Sequence, residues 1–68
     1  MNSIRIKVPS DLIVAFYPHP EPYGDNYFVV DLENGMYTDV FEMENEFYTI
    51  TNDTKLISYL NKKRKGLI

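Results

Sequence analysis

His19 is the single imidazole in the chain, and so the one side chain ordinarily able to act as a general base near neutral pH. Such a base must lie within hydrogen-bond reach of a nucleophile and be oriented by a third group. The serines stand at Ser3, Ser10 and Ser58, and no spacing ties any of them to His19, which sits between Pro18 and Pro20 in a stretch that reads as an exposed loop. Cysteine is absent, which removes a thiolate nucleophile, a disulfide and any Cys-ligated zinc site. One histidine also excludes multi-His metal sites. Gly24, Gly35 and Gly66 are too few and too scattered to build a phosphate-cradling GxGxxG or GxxxxGK[ST] loop. A calcium loop has a near-match, with Asp31 first, Glu33 third and Glu42 twelfth. It fails in the middle: Gly35 falls where a ligand is needed and Met36 where the sharp turn needs glycine. The expectation is a protein with no catalytic, cofactor-binding or metal residues, and no enzyme.

What remains is charge and aromatic surface. The net charge of −3 conceals a sharp asymmetry. No Lys or Arg occurs from Val8 to Thr54, whereas all ten acids lie within that stretch. Arg5 and Lys7 precede it, and Lys55, Lys62, Lys63, Arg64 and Lys65 follow it. The densest acidic run is Asp39-Val40-Phe41-Glu42-Met43-Glu44-Asn45-Glu46. Alternate residues of a strand share a face about 6.6 Å apart, so Glu42, Glu44 and Glu46 would form a carboxylate row spaced similarly to consecutive phosphates, unless a turn at 43–46 bends it. With Asp31 and Glu33 on the Glu42 face, the sheet would show a continuous negative surface. Solubility alone is normally achieved with mixed signs. The candidate partner-binding residues are therefore Asp31, Glu33, Asp39, Glu42, Glu44 and Glu46. Tyr23 and Tyr27 join them, flanking the Pro-rich loop, because tyrosine is enriched where interfaces bind tightly.

The competing reading starts from Lys62-Lys63-Arg64-Lys65, four positive charges in one helical turn that could contact phosphates. No helix-turn-helix, KH or RRM signature accompanies them, and the acidic remainder would repel nucleic acid. They are better explained as complementing the negative C-terminal end of a helix.

The elements that must carry these side chains follow from periodicity. Ser3 to Val8 alternates strictly and predicts a half-buried strand. Leu12 to Tyr17 is an apolar, β-branched and aromatic run, predicting a strand buried on both faces, with a short helix capped by Ser10 or Asp11 as the alternative. Pro18 to Asn26 reads as a loop whose prolines forbid ladder bonds. Tyr27 to Glu33 and Met36 to Glu42 read as a hairpin around Asn34-Gly35, the strongest short-range signal for a two-residue type I′ turn. That turn pairs Leu32 with Tyr37, Val30 with Asp39 and Phe28 with Phe41. The core face would then hold Phe28, Val30, Leu32, Tyr37 and Phe41, with Asp39 as the one discordant member. Tyr27, Val29, Asp31, Glu33, Met36, Thr38, Val40 and Glu42 would face solvent. Continuing the register adds Tyr48 and Ile50, from the strand Phe47 to Thr51, to the core face. Thr51 to Thr54 offers N-cap residues, and Lys55 to Arg64 has helix spacing with Leu56, Ile57 and Leu60 as its stripe and Gly66 as its stop.

The fold class expected is α+β: a single domain, residues 1–68, in which an antiparallel β-meander of four to five strands is packed by one C-terminal helix. The start of the chain lacks the apolar core of a signal peptide, and Leu12 to Pro20, its longest uncharged stretch, is far short of a membrane span. A cytoplasmic location without membrane contact is expected. The functional expectation is a small non-enzymatic macromolecule-binding protein whose acidic sheet surface docks on a basic protein, such as one that normally holds nucleic acid. A bacteriophage or mobile-element inhibitor acting as a DNA mimic is the kind of protein this fits. A regulatory protein binding nucleic acid through the basic helix is the alternative, as is a structural subunit that pairs through a sheet edge as a homodimer or within a larger assembly.

Overall fold

The computed structural model describes residues 2–20 and 24–66. Five strands, β1 (Ile4–Lys7), β2 (Ile13–Pro18), β3 (Tyr27–Leu32), β4 (Tyr37–Met43) and β5 (Glu46–Thr51), form one antiparallel sheet in the order β1-β5-β4-β3-β2. A helix, α1 (Thr54–Arg64), follows. The expected α+β meander with a C-terminal helix is the fold observed. β2 to β5 are joined as successive neighbours, and β1 sits at the far edge, pairing Ile4 with Thr51 and Lys7 with Tyr48.

Of the two readings of Leu12 to Tyr17 the strand is the one observed, and the helix capped by Ser10 or Asp11 is not formed. Ser10–Leu12 forms a single 3₁₀ turn, and the strand starts at Ile13. That strand is not buried on both faces. It is the sheet's other edge, with Val14 65% exposed and a bulge between Ile13 and Ala15. An apolar run alone does not distinguish a central strand from an edge that something else covers.

The hairpin register differs from expectation by one residue, with large consequences. Gly35 N–H donates to Leu32 O at 3.0 Å and Leu32 N–H to Met36 O at 2.8 Å, so the loop has three residues, Glu33-Asn34-Gly35. Gly35 takes φ +89° while Asn34 stays out of the left-handed region, the pattern of a type I turn closed by a bulge glycine. Phe28 therefore pairs with Val40, Val30 with Thr38 and Asp31 with Tyr37. The two-residue turn with paired left-handed residues occurs instead at Glu44 (φ 56°) and Asn45 (φ 66°), joining Met43 to Glu46.

The helix-side face consequently carries Val30, Leu32, Val40 and Thr49, all nearly inaccessible, where the two-residue turn would have put Val40 in solvent. Tyr37, Phe41, Tyr48 and Ile50, expected in the core, lie on the opposite face, and Tyr37 is 74% exposed. Asp39 moves out with them, which removes the discordance. Thr38 and Thr49 share a hydroxyl hydrogen bond of 3.0 Å on the buried side, so the one buried polar residue among the described residues is satisfied.

α1 starts at Asp53, whose carboxylate accepts from the amides of Lys55 and Leu56 at 3.0 and 3.4 Å. It ends where Gly66 turns to φ +72° and its amide bonds Lys63 O. Leu56 and Leu60 pack into one cluster with Val8, Leu12, Val30, Leu32 and Val40. Beyond the helix, Phe16, Phe28 and Phe47 meet with centroids 5.2 to 6.5 Å apart. Phe16 and Phe47 come from β2 and β5, which are not neighbours, so the sheet is strongly curled around its core. Among the described residues, no helix is long and apolar enough to cross a membrane.

Candidate functional site

The helix covers one face of the sheet and leaves the other open. Three rings cross that open face on adjacent strands: Tyr27, Phe41 and Tyr48, paired directly by register. Their centroids are 5.8 and 5.9 Å apart, with interplanar angles of 35° and 30°. Cross-strand aromatic pairs of this kind hold a sheet face together without a second layer. A guanidinium closes one end of the row and an imidazole the other. The Arg5 guanidinium lies 5.4 Å from the Tyr48 centroid, and the His19 ring meets the Tyr27 ring edge-on at 6.0 Å. His19 is not the exposed loop residue expected from its prolines. Only 8% of its side chain is accessible, and its Nε2 lies 3.2 Å from Asp39 Oδ2.

The expected carboxylates fall in four different places. Asp31, Asp39 and Glu46 are on the open face, each with a partner: the Tyr17 hydroxyl donates to Asp31 at 3.2 Å, His19 meets Asp39, and Lys7 Nζ lies 3.0 Å from Glu46. The Asp31 carboxylate raises the Tyr17 phenol, first through that hydrogen bond and then through its charge. Glu33 is in the three-residue loop, bound to Lys63 at 2.6 Å and to the Tyr59 hydroxyl at 3.2 Å, so it fastens the hairpin to the helix. The Lys63 ammonium holds Glu33 below the usual carboxylate value and is itself raised by it. Burial, followed by the Glu33 charge, pushes the Tyr59 phenol up. Glu42 pairs with Phe47 and so belongs to the helix-side face, while Glu44 stands in the turn. The continuous row Glu42, Glu44, Glu46 is therefore not formed: the turn at 44–45 separates its members, and Glu42 and Asp31 point to opposite faces. Tyr23 lies outside the described residues; Tyr27 is at the centre of the open face.

Sequence reasoning missed Arg5, Tyr37, Phe41 and Tyr48 as members of this surface. The one available signal was Asp39, which an apolar face should not have contained.

The second consequence of the topology concerns charge. All seven Lys and Arg residues lie on β1, on α1 or at its C-cap Lys65. The two basic ends of the sequence thus sit on adjoining elements, because β1 closes against β5 beside the helix. The open face divides accordingly, with Arg5 and Lys7 at the β1 edge and Asp31 and Asp39 toward β2. A cleft of about 760 Å³ at the end of β1 is walled by Lys7, Glu46, Glu33 and Lys63, and both of its ion pairs are already made. Among the described residues no group of three or more His, Asp or Glu side chains is placed to hold a metal ion. No family model, curated protein or solved structure matches the chain.

Proposed function

We propose that the protein is a non-enzymatic binding module whose open sheet face docks on a basic protein. The observation carrying this reading is the patch formed by Tyr17, Asp31, Tyr37 and Asp39 beside the Tyr27–Phe41–Tyr48 row. Tyr37 stands directly opposite Asp31 in the register, and Asp39 follows two residues along β4. An arginine arriving there finds an aromatic face to stack on and a carboxylate to pair with, two interactions its planar guanidinium makes together. Arg5 over Tyr48 is the aromatic half of that contact made within the chain. The rings of the face are held in cross-strand register, which lowers the entropy lost on docking. In this reading the aromatic face supplies the contact area, and the carboxylates set the sign of the partner.

Fluorescein-labelled octa-arginine tests this. Asp31→Asn with Asp39→Asn is expected to weaken binding by about tenfold, and Tyr37→Ala by roughly fivefold. Glu42→Gln with Glu44→Gln, which removes equal charge elsewhere, should change it less than about twofold. Equal losses from the two double variants would show net charge at work and refute a specific face.

A further inference from the structure

The sheet has a second feature, independent of its open face: the free edge of β1 lies beside the outer side of α1. We infer that this margin is a strand-addition site for an extended acidic peptide with alternating aliphatic side chains. The argument starts from hydrogen bonding. Val8 N–H donates to Phe47 O at 2.8 Å, which makes Val8–Phe47 a hydrogen-bonded pair. Such pairs alternate along an antiparallel ladder, so Ile6 and Ile4 also face β5, and the backbone groups of Arg5 and Lys7 point outward. No described strand pairs with that side.

A groove of about 550 Å³ runs alongside, between Ile4 of β1 and the stripe Ile57, Ser58, Asn61, Lys62 and Lys65 of α1 and its cap. Ile4, 44% exposed, belongs to the helix-side face, and Ile57 stands across from it. A strand laid on the β1 edge would place every second side chain over these two isoleucines and the intervening ones on the face of Arg5 and Lys7. The first set must be aliphatic. The second meets the Arg5 guanidinium and the Lys7 ammonium, the latter shared with Glu46, while Lys62 and Lys65 add the same sign along the groove, so the peptide must be acidic. The β2 edge offers no equivalent: its bulge at Ile13/Ala15 interrupts the ladder, and Pro18 lacks an amide to donate.

The probe is a fluorescein-labelled peptide, Gly-Gly-Glu-Val-Glu-Ile-Glu, titrated against the whole chain by polarisation. Two versions N-methylated at alternate residues identify a ladder: one should lose binding and the other retain it within about twofold. Ser58→Trp, an exposed helix position facing the groove, should weaken binding at least tenfold with the circular dichroism spectrum unchanged. Raising NaCl from about 50 to 500 mM should weaken it by roughly tenfold. Asp31→Asn with Asp39→Asn should leave it intact, which separates this site from the open face. Equal binding of both methylated peptides, or full affinity in Ser58→Trp, overturns the proposal. So does fluorescein-labelled dT12 binding more tightly and displacing the peptide, which would make the basic margin a nucleic-acid surface. Dimerisation through this edge that the peptide fails to reverse would overturn it as well.

Discussion

The turn at Glu44-Asn45 gives the sharpest test of the register on which both surfaces depend. Each residue has left-handed φ, 56° and 66°. A side chain with a Cβ is disfavoured there by about 1–2 kcal/mol, less for Asn, whose short amide tolerates the region. Replacing Glu44 by Asn should therefore recover roughly 0.5–1 kcal/mol. Asn45→Gly should add only a few tenths, because glycine also gains freedom in the unfolded chain. The double variant is expected to be about 1 kcal/mol more stable, raising Tm by roughly 4–8 °C for a domain of this size. The reverse perturbation belongs at Gly35. Its φ is +89° and an added Cβ would meet nothing within 4 Å, so Gly35→Ala measures backbone conformation alone. It should be destabilising by about 1 kcal/mol. Thermal and urea unfolding, followed by circular dichroism with unchanged m-values, read both effects. A neutral Gly35→Ala together with a destabilised Glu44→Asn/Asn45→Gly would refute the loop assignment. The register that seats Phe41 and Tyr37 in the core differs from this one at Asn34, which it would need in the left-handed region as well.

Three further outcomes follow from contacts described above. Leu60→Ala, at a fully buried helix position, should cost about 2–5 kcal/mol. That is comparable to the roughly 3–5 kcal/mol a core of this size supplies, so the variant should be largely unfolded at 25 °C by circular dichroism. Asp53→Ala removes the acceptor for two helix amides and should destabilise by about 1 kcal/mol in urea titration. Glu33 is held below its ordinary value of 4.5 by Lys63, so its contribution is fully present above that pH and is lost as pH falls through the lowered value. Lys63, raised above 10.5, loses its share as pH rises through the raised value. Glu33→Gln should flatten both limbs of a stability–pH profile, and an unaltered profile would show the contact to be idle in solution.

The fold class was legible because it rests on local signals: the alternation in Ile4–Lys7, the turn residues and the cap-to-glycine span of the helix. Register was not, because it hangs on loop length. Asn34-Gly35 announces a turn, but whether two or three residues form it depends on the conformation of Asn34, and in β4 either alternation seats apolar residues inward. Tyr37 with Phe41, and Val40 with Thr38, are comparable sets by hydrophobicity alone. The carboxylate row failed for a related reason, since a turn within 43–46 throws Glu42 and Glu46 to opposite faces. The gathering of Arg5 and Lys7 beside the basic helix was invisible for a different reason. It requires β1 to pair with β5, a long-range choice that no local pattern records.

That pairing also orders events in time. The hairpins β2–β3, β3–β4 and β4–β5 close short loops, whereas β1 must wait for a partner whose residues lie beyond all of them, Ile4 finding Thr51. Closing so long a loop is the larger entropic step, and contacts of that span slow folding. The meander would thus assemble while the first strand is still searching, and the last edge to be sealed is the one bordering the helix. A chain caught at that stage exposes β5 as a bare edge flanked by Phe47 and Thr49. In that interval, the first strand of a neighbouring molecule would fit as well as its own.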